Sequence, residues 1–112
     1  MKRGPLVHSE TQRDRLRVLL GSEAGVRERK MFGCPAFFFE RRMVACVYGD
    51  EIGLKVPERR AEELLARGEV AKFQPYGKSM REWVSLSPRG SDAGLLPGLL
   101  REAVAYAKEN AS

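Results

Sequence analysis

The strongest constraint on the fold is a succession of short strand-like segments separated by connections of only a few residues. The segments are rich in aromatic and β-branched residues, and turn-formers such as Gly33, Gly49 and Asp50 stand between them. A parallel crossover needs about a dozen residues or more, so these connections favour antiparallel hairpins. The predicted strands cover residues 26–32, 36–39, 43–48 and 52–56.

Helices are predicted on both sides of this block of strands. Ser9 and Gln12 form a capping-box pattern ahead of leucines at helical spacing, and the pattern ends at Gly21. Pro57 suits the first turn of a second helix, whose apolar stripe ends at Gly68. The two segments therefore predict amphipathic helices that pack on the sheet.

The remainder of the chain completes an α+β pattern. Residues 70–73 and 82–86 predict further strands, and apolar residues from Leu96 to Ala107 recur at helical spacing, with Pro97 suited to the first turn. We expect a two-layer domain in which helices cover one face of an antiparallel sheet. The predicted sheet has about five strands and the domain three helices, in the order α-β-β-β-α-β-β-α.

Length and charge limit the classes of protein that this chain can represent. A chain of 112 residues, 43% of them hydrophobic, accommodates one domain over residues 1–112, of which residues 1–8 are predicted to be flexible. Lys and Arg exceed Asp and Glu by 20 to 15, a mild net charge of +5 that favours an anionic partner. Cys34 and Cys46 lack CxxC spacing. With no signal-peptide or membrane-spanning pattern, these features predict a cytoplasmic protein with reduced thiols.

Several short motifs carry a resemblance to a known family. They are Met31, Phe32 and Gly33; Met43 and Ala45; residues 54–57; Phe73, Pro75, Gly77 and Lys78; and Met80, Glu82 and Trp83. Together they resemble the N-terminal domain of the TfoX/Sxy family, bacterial proteins linked to regulation of DNA-uptake competence. The full-length regulators carry a further C-terminal domain, so the resemblance implies a stand-alone N-terminal module. It also implies a non-enzymatic role in transcriptional regulation or protein interaction.

The residue inventory offers little for catalysis, and we expect neither an enzyme nor a cofactor. His8 is the only histidine, so a multi-histidine metal site is ruled out, and no pair of acids is predicted to converge. Cys34 is the one candidate nucleophile, because its turn between Gly33 and Pro35 could expose a thiolate. A thiol-dependent enzyme is therefore the weakest of three alternatives.

Nucleic-acid binding is the second alternative. Arg41 and Arg42 are predicted to protrude at a hairpin tip, where two guanidinium groups could contact phosphates, and Lys78 adds a cation in a later turn. A tight type I′ hairpin disfavours arginine at positive φ, so the turn at residues 40–42 is predicted to be wider. Acids interleave with the other N-terminal bases, and a mixed-charge solvated face is the competing interpretation.

Protein interaction is the preferred hypothesis, with an unidentified protein partner and no membrane. Tyr76, Met80 and Trp83 are candidate interface anchors if they are exposed, since aromatic residues and Met provide large contact areas. Core packing is the alternative role, and it is favoured for Trp83. The sheet can leave its second face or an edge open, which predicts a site for a partner or for homodimerisation.

Overall fold

The computed structural model describes residues 9–31, 33–77, 80–87 and 94–110. The segment predicted to be flexible, residues 1–8, lies outside this part. The helices and strands are α1 (Glu10–Leu20), β1 (Val26–Met31), β2 (Cys34–Phe39), β3 (Arg42–Tyr48), β4 (Glu51–Lys55), α2 (Glu58–Ala66), β5 (Ala71–Lys72), β6 (Trp83–Leu86) and α3 (Leu96–Asn110). A 3₁₀ turn, Pro75–Gly77, lies in the connection between β5 and β6.

The predicted α+β class is confirmed. Six strands form one antiparallel sheet in the order β1-β2-β3-β4-β6-β5, and three helices accompany it in the described part of the chain. Four strands precede α2, so the sheet has one strand more than the predicted order counts. Each of the first three strands pairs with the next one along the chain, as their short connections predict.

The start of α1 is fixed by the residues that predicted it. Ser9 Oγ accepts a hydrogen bond from the backbone nitrogen of Gln12 at 3.2 Å, which caps the helix. The Gln12 side chain reaches the β3–β4 turn, where its Nε2 donates to the carbonyl of Asp50 at 3.1 Å. The backbone nitrogen of Ser9 also donates to the carbonyl of Gly49 at 2.9 Å. These bonds fasten the N-terminus of α1 to one end of the sheet.

One face of the sheet and the helices share a hydrophobic core. Apolar residues of α1, α2 and α3 pack there against alternate residues of the strands, as period-2 and period-3.6 patterns require. Burial of each large side chain contributes roughly 1.5–3 kcal/mol. The fully buried members with the largest volume are Leu16, Ile52, Leu54, Leu64, Leu96, Leu100, Val44, Val47, Val56 and Val84.

The opposite face carries a second hydrophobic cluster and is not bare. Its buried members are Ala36, Phe38, Cys46, Phe73 and Trp83. Phe73 follows β5 directly, and its ring lies over Gly53 in β4, where an added Cβ would come within 2.8 Å of the ring. The ring centroid of Phe73 is 5.4 Å from that of Trp83. The open second face that the sequence predicted as a partner site is therefore closed in its centre.

Consecutive phenylalanines of β2 lie in different layers, because successive residues of a strand face opposite sides of the sheet. Phe37 lies in the helix-side core and Phe38 in the second cluster. The pairing of β2 with β3 shifts by one residue between them, which leaves Val44 without a partner of its own on β2. The extra residue is accommodated on β3, where Val44 and Ala45 both belong to the helix-side core.

Candidate interaction surface

The β2–β3 hairpin is tight, so the wider turn predicted at residues 40–42 is wrong. Phe39 pairs directly with Arg42, which leaves Glu40 and Arg41 as a two-residue loop. Glu40 alone among the described non-glycine residues adopts a positive φ, 55°. The left-handed conformation thus falls on the glutamate, and neither arginine has to adopt it. Arg41 and Arg42 are both exposed at this end of the sheet, as predicted.

Two depressions adjoin at the same end of the sheet. The first is a cavity of about 150 Å³, and the second is a shallower groove of about 390 Å³. Both are lined in part by Lys55 and Glu82, so they form one continuous surface. We call it the hairpin-end surface; its residues are Arg42, Met43, Lys55, Glu58, Met80, Arg81, Glu82, Trp83, Tyr106, Ala107 and Asn110.

A chain of polar contacts holds the middle of the hairpin-end surface. Tyr106 Oη donates a hydrogen bond to Glu82 Oε2 at 2.7 Å, and Lys55 Nζ lies 3.9 Å from Glu82 Oε1. The bond to the carboxylate, together with burial, raises the pKa of Tyr106. The backbone nitrogen of Val56 donates to the carbonyl of Glu82 at 3.0 Å, which fixes the segment that carries this acid. Glu82 is therefore held from β4 and from α3 together.

Arg42, at the rim of the cavity, lies outside this chain of polar contacts. Arg42 is exposed and forms no ion pair with another described residue. Phe39, its partner on β2, packs against the helix-side core, and Lys108 Nζ lies 5.7 Å from the centroid of the Phe39 ring. Arg42 thus stands on the α3 side of the hairpin, beside a carboxylate that is already held by two other groups. The surface can therefore offer Arg42 to an anionic group of a partner.

The predicted interface anchors separate into different environments. Met80 is 40% exposed and lines the groove, as an anchor requires. Trp83 is only 7% exposed and packs in the second cluster, so its large ring serves the core. The interpretation of Trp83 as an exposed anchor therefore fails. The side chain of Tyr76 and the whole of Lys78 lie outside the described residues.

The candidate nucleophile is buried. Cys34 begins β2 and is 5% exposed, and Cys46 on β3 is 8% exposed; they form no disulfide. Burial raises the pKa of the Cys34 thiol and, with smaller contributions from nearby charge, raises the pKa of Cys46 to about 12. A thiol-dependent enzyme needs an accessible thiolate of low pKa. The burial of Cys34 and its raised pKa contradict the accessible thiolate that was predicted from its turn.

Nowhere in residues 9–31, 33–77, 80–87 and 94–110 do three His, Cys, Asp or Glu side chains gather as a metal ion would require. Within the same ranges, the helices are too short or too polar to cross a membrane.

The convergence of Lys55, Glu82 and Tyr106 was missed at the sequence level. Glu82 was singled out only as part of a motif, and the other two residues carried no signal of a shared site. Lys55 lies in β4, Glu82 in the segment that precedes β6, and Tyr106 in α3. These parts are far apart along the chain. Only the strand order β4-β6 and the position of α3 across the sheet bring them together.

Comparison with known proteins agrees with the family resemblance. The model of the TfoX N-terminal domain family matches residues 19–107, which includes all six strands and the hairpin-end surface up to Ala107. No significant match was found among curated proteins or among solved structures. The family match spans most of the 112 residues. The chain therefore belongs to the TfoX N-terminal domain family.

Proposed function

We propose that this protein is a non-enzymatic regulatory domain that binds a protein partner through the hairpin-end surface. The observation that carries the proposal is the position of Met80, an exposed apolar side chain in a groove bordered by Lys55 and Arg81. Met adapts its shape to a partner, and flanking charges select the partner's orientation. The family is associated with competence regulation. We propose the same regulatory setting, in the cytoplasm, for this domain.

The polar centre of the surface supports the same proposal. Glu82 is held by Lys55 and Tyr106, so the surface is ordered before a partner arrives and less conformational entropy is lost on binding. Arg42 stands at the rim, where a charge acts mainly on the rate of association. An apolar contact surrounded by ordered charges is the arrangement typical of a small recognition surface.

Site-specific photo-crosslinking tests this proposal directly. A photo-reactive amino acid is placed at Met80 and, as the control, at Val18, which is 78% exposed on α1 and lies outside the hairpin-end surface. We expect a discrete crosslinked species from position 80 in cells, absent from position 18 and reduced by Lys55→Glu. Identical products from both positions would show that the labelled surface has no specific partner.

Nucleic-acid binding is kept as a second candidate because Arg41 and Arg42 are both exposed at the hairpin tip. Fluorescence anisotropy of labelled single-stranded and duplex DNA across a salt series tests it. The double variant Arg41→Ala plus Arg42→Ala is compared with Arg59→Ala plus Arg101→Ala, which removes the same charge from exposed helix positions. Salt-sensitive binding lost only in the hairpin variant would favour this candidate, and no binding at low salt would eliminate it.

A further inference from the structure

Strand β1 is an edge of the sheet that remains open to pairing in the described part of the chain. It pairs with β2 over all six residues, Val26–Met31, and no other described strand lies beside it. In an antiparallel pair, alternate residues direct their backbone N–H and C=O groups away from the partner strand. The opposite edge, β5, has two residues and offers far less backbone. The long free edge is therefore β1.

The charges on this edge are distributed unequally between its two sides. Arg27 and Arg29 pair with Phe38 and Ala36, both members of the second cluster, so the two arginines lie on that face. Both are exposed, and neither forms an ion pair with another described residue. The Arg29 guanidinium carbon is 5.2 Å from the centroid of the Phe38 ring, a cation–π contact that restrains it.

The one acid of β1 is neutralised on the other side of the strand. Glu28 accepts hydrogen bonds from Arg13 Nε at 2.7 Å and from Arg17 Nε at 2.6 Å. Burial raises the pKa of Glu28, but the bonds from these two guanidinium groups outweigh it, so the net effect is a lowered pKa. Arg13 is also paired with Glu10, at 3.4 Å, so the uncompensated positive charge on β1 is that of Arg27 and Arg29. Lys30, also exposed, adds to it.

A second copy of this chain is a poor occupant of the edge. Side chains that face each other across antiparallel strands must lie on the same face of the sheet. A symmetric pairing centred on Glu28 sets Arg27 against Arg29, and a pairing centred on either arginine sets that residue against its own copy. Each of these registers places like charges in direct opposition, which is destabilising.

We propose that β1 accepts an extended acidic segment of a partner protein as an added strand, with alternate carboxylates paired to Arg27 and Arg29. The two arginines are about 7 Å apart along the strand, which is the spacing of alternate residues in any added strand. Backbone bonds supply the affinity and the paired charges set the register and the preference for acids. This inference rests on the proposed role in protein interaction and names the chemistry of a partner, at an edge distinct from the hairpin-end surface.

The test uses short synthetic peptides and NMR of the full chain. The probe is a capped peptide of alternating glutamate and threonine. One control replaces every glutamate with lysine, and another inserts proline at alternate positions, which keeps the acids but removes backbone donors. We expect chemical-shift changes and slowed amide exchange in β1 with the acidic peptide alone. Equal binding of the proline peptide would overturn strand addition, because charge alone would then explain the binding.

Charge reversal on the protein provides the matched comparison. Arg27→Glu plus Arg29→Glu should weaken binding of the acidic peptide by roughly tenfold or more, because two attractive cross-strand pairs become repulsive. It should also create binding of the lysine peptide. Arg59→Glu plus Arg101→Glu, with the same change in net charge, should leave both affinities unchanged.

Four further outcomes would overturn the inference. One is an equal effect of the two charge-reversal variants. Another is self-association through β1, seen as concentration-dependent light scattering that Arg27→Glu plus Arg29→Glu alters. The third is binding of a labelled oligothymidylate in place of the peptide at the same arginines. Failure of every peptide to bind would reject the edge site and leave the Met80 crosslinking result, which tests the proposed function, unaffected.

Discussion

Substitution of Gly53 by alanine tests the closure of the second sheet face most directly. The new Cβ would lie 2.8 Å from Cζ of Phe73 and 3.0 Å from both of its Cε atoms. The ring cannot move aside easily, because it is 4% exposed and packs against Trp83 and against Tyr48, 6.0 Å away between centroids. Alanine at this position must therefore displace a packed ring or bend β4.

The expected loss of stability follows from two opposing effects. Overpacking a well-filled cluster costs about 1–3 kcal/mol. Replacing glycine by alanine also reduces the entropy of the unfolded chain, which stabilises the folded state by roughly 0.4–1 kcal/mol. This stabilisation applies at Gly53 because its φ is not positive. We expect Gly53→Ala to lower the free energy of unfolding by about 1–2 kcal/mol, with a fall in Tm of roughly 5–10 °C.

A double-mutant cycle distinguishes this clash from a general effect on β4. Urea unfolding is followed by circular dichroism and by the fluorescence of Trp83, the only tryptophan. Phe73→Ala removes the ring and should cost about 3–5 kcal/mol, and in that background Gly53→Ala should become neutral or slightly stabilising. If Phe73→Ala does not fold, Phe73→Leu takes its place, and the cost of Gly53→Ala should then be reduced. An equal cost in both backgrounds would refute the placement of Phe73 over Gly53.

Three other predictions concern helix packing, pH and the thiols. Gly98→Ala should raise stability by up to about 1 kcal/mol in the same urea assay, because its Cβ would meet only Arg101 Nη2 at 3.9 Å in α3. Glu28→Gln should lower the free energy of unfolding by roughly 0.2–1 kcal/mol near neutral pH. Since the folded state lowers the pKa of Glu28, this difference from wild type should vanish as pH falls through that pKa. A difference in stability that persists in acid would contradict the ion pairing. Cys34 and Cys46 should react slowly with a disulfide reagent at pH 8 in the native protein and rapidly in urea, whereas fast labelling of the native protein would contradict their burial.

The sequence predicted most of the fold because its local signals were consistent with one another. The N-cap at Ser9, the end of the second helix near Gly68 and the strand starts after each turn all lie within a few residues of the observed elements. Short connections left antiparallel hairpins as the only pairing, so the order of the first four strands was determined. The insertion of β6 between β4 and β5 was not, since it depends on tertiary packing.

The covered second face was missed although one residue carried a signal for it. Gly53 lies inside a strand, where glycine costs stability and indicates a close approach by another group. That group is Phe73, twenty positions further along the chain. Periodicity also could not reveal the hairpin-end surface, because Lys55, Glu82 and Tyr106 belong to separate elements. Local patterns report faces of single elements, and a site made by three elements depends on their arrangement.

The closure of both sheet faces limits where a partner could reach the sheet. Helices cover one face and Phe73 with Trp83 closes the centre of the other, so the two proposed recognition sites lie at the rim of the sheet. The two rim sites, the hairpin-end surface and the β1 edge, both present exposed arginines, and Met80 supplies an exposed apolar contact at the first. Small, charge-rich contacts associate quickly but are screened by salt. Partner binding at either site should therefore weaken as ionic strength rises, and a partner that binds equally well at low and high salt would have to contact a surface other than these two.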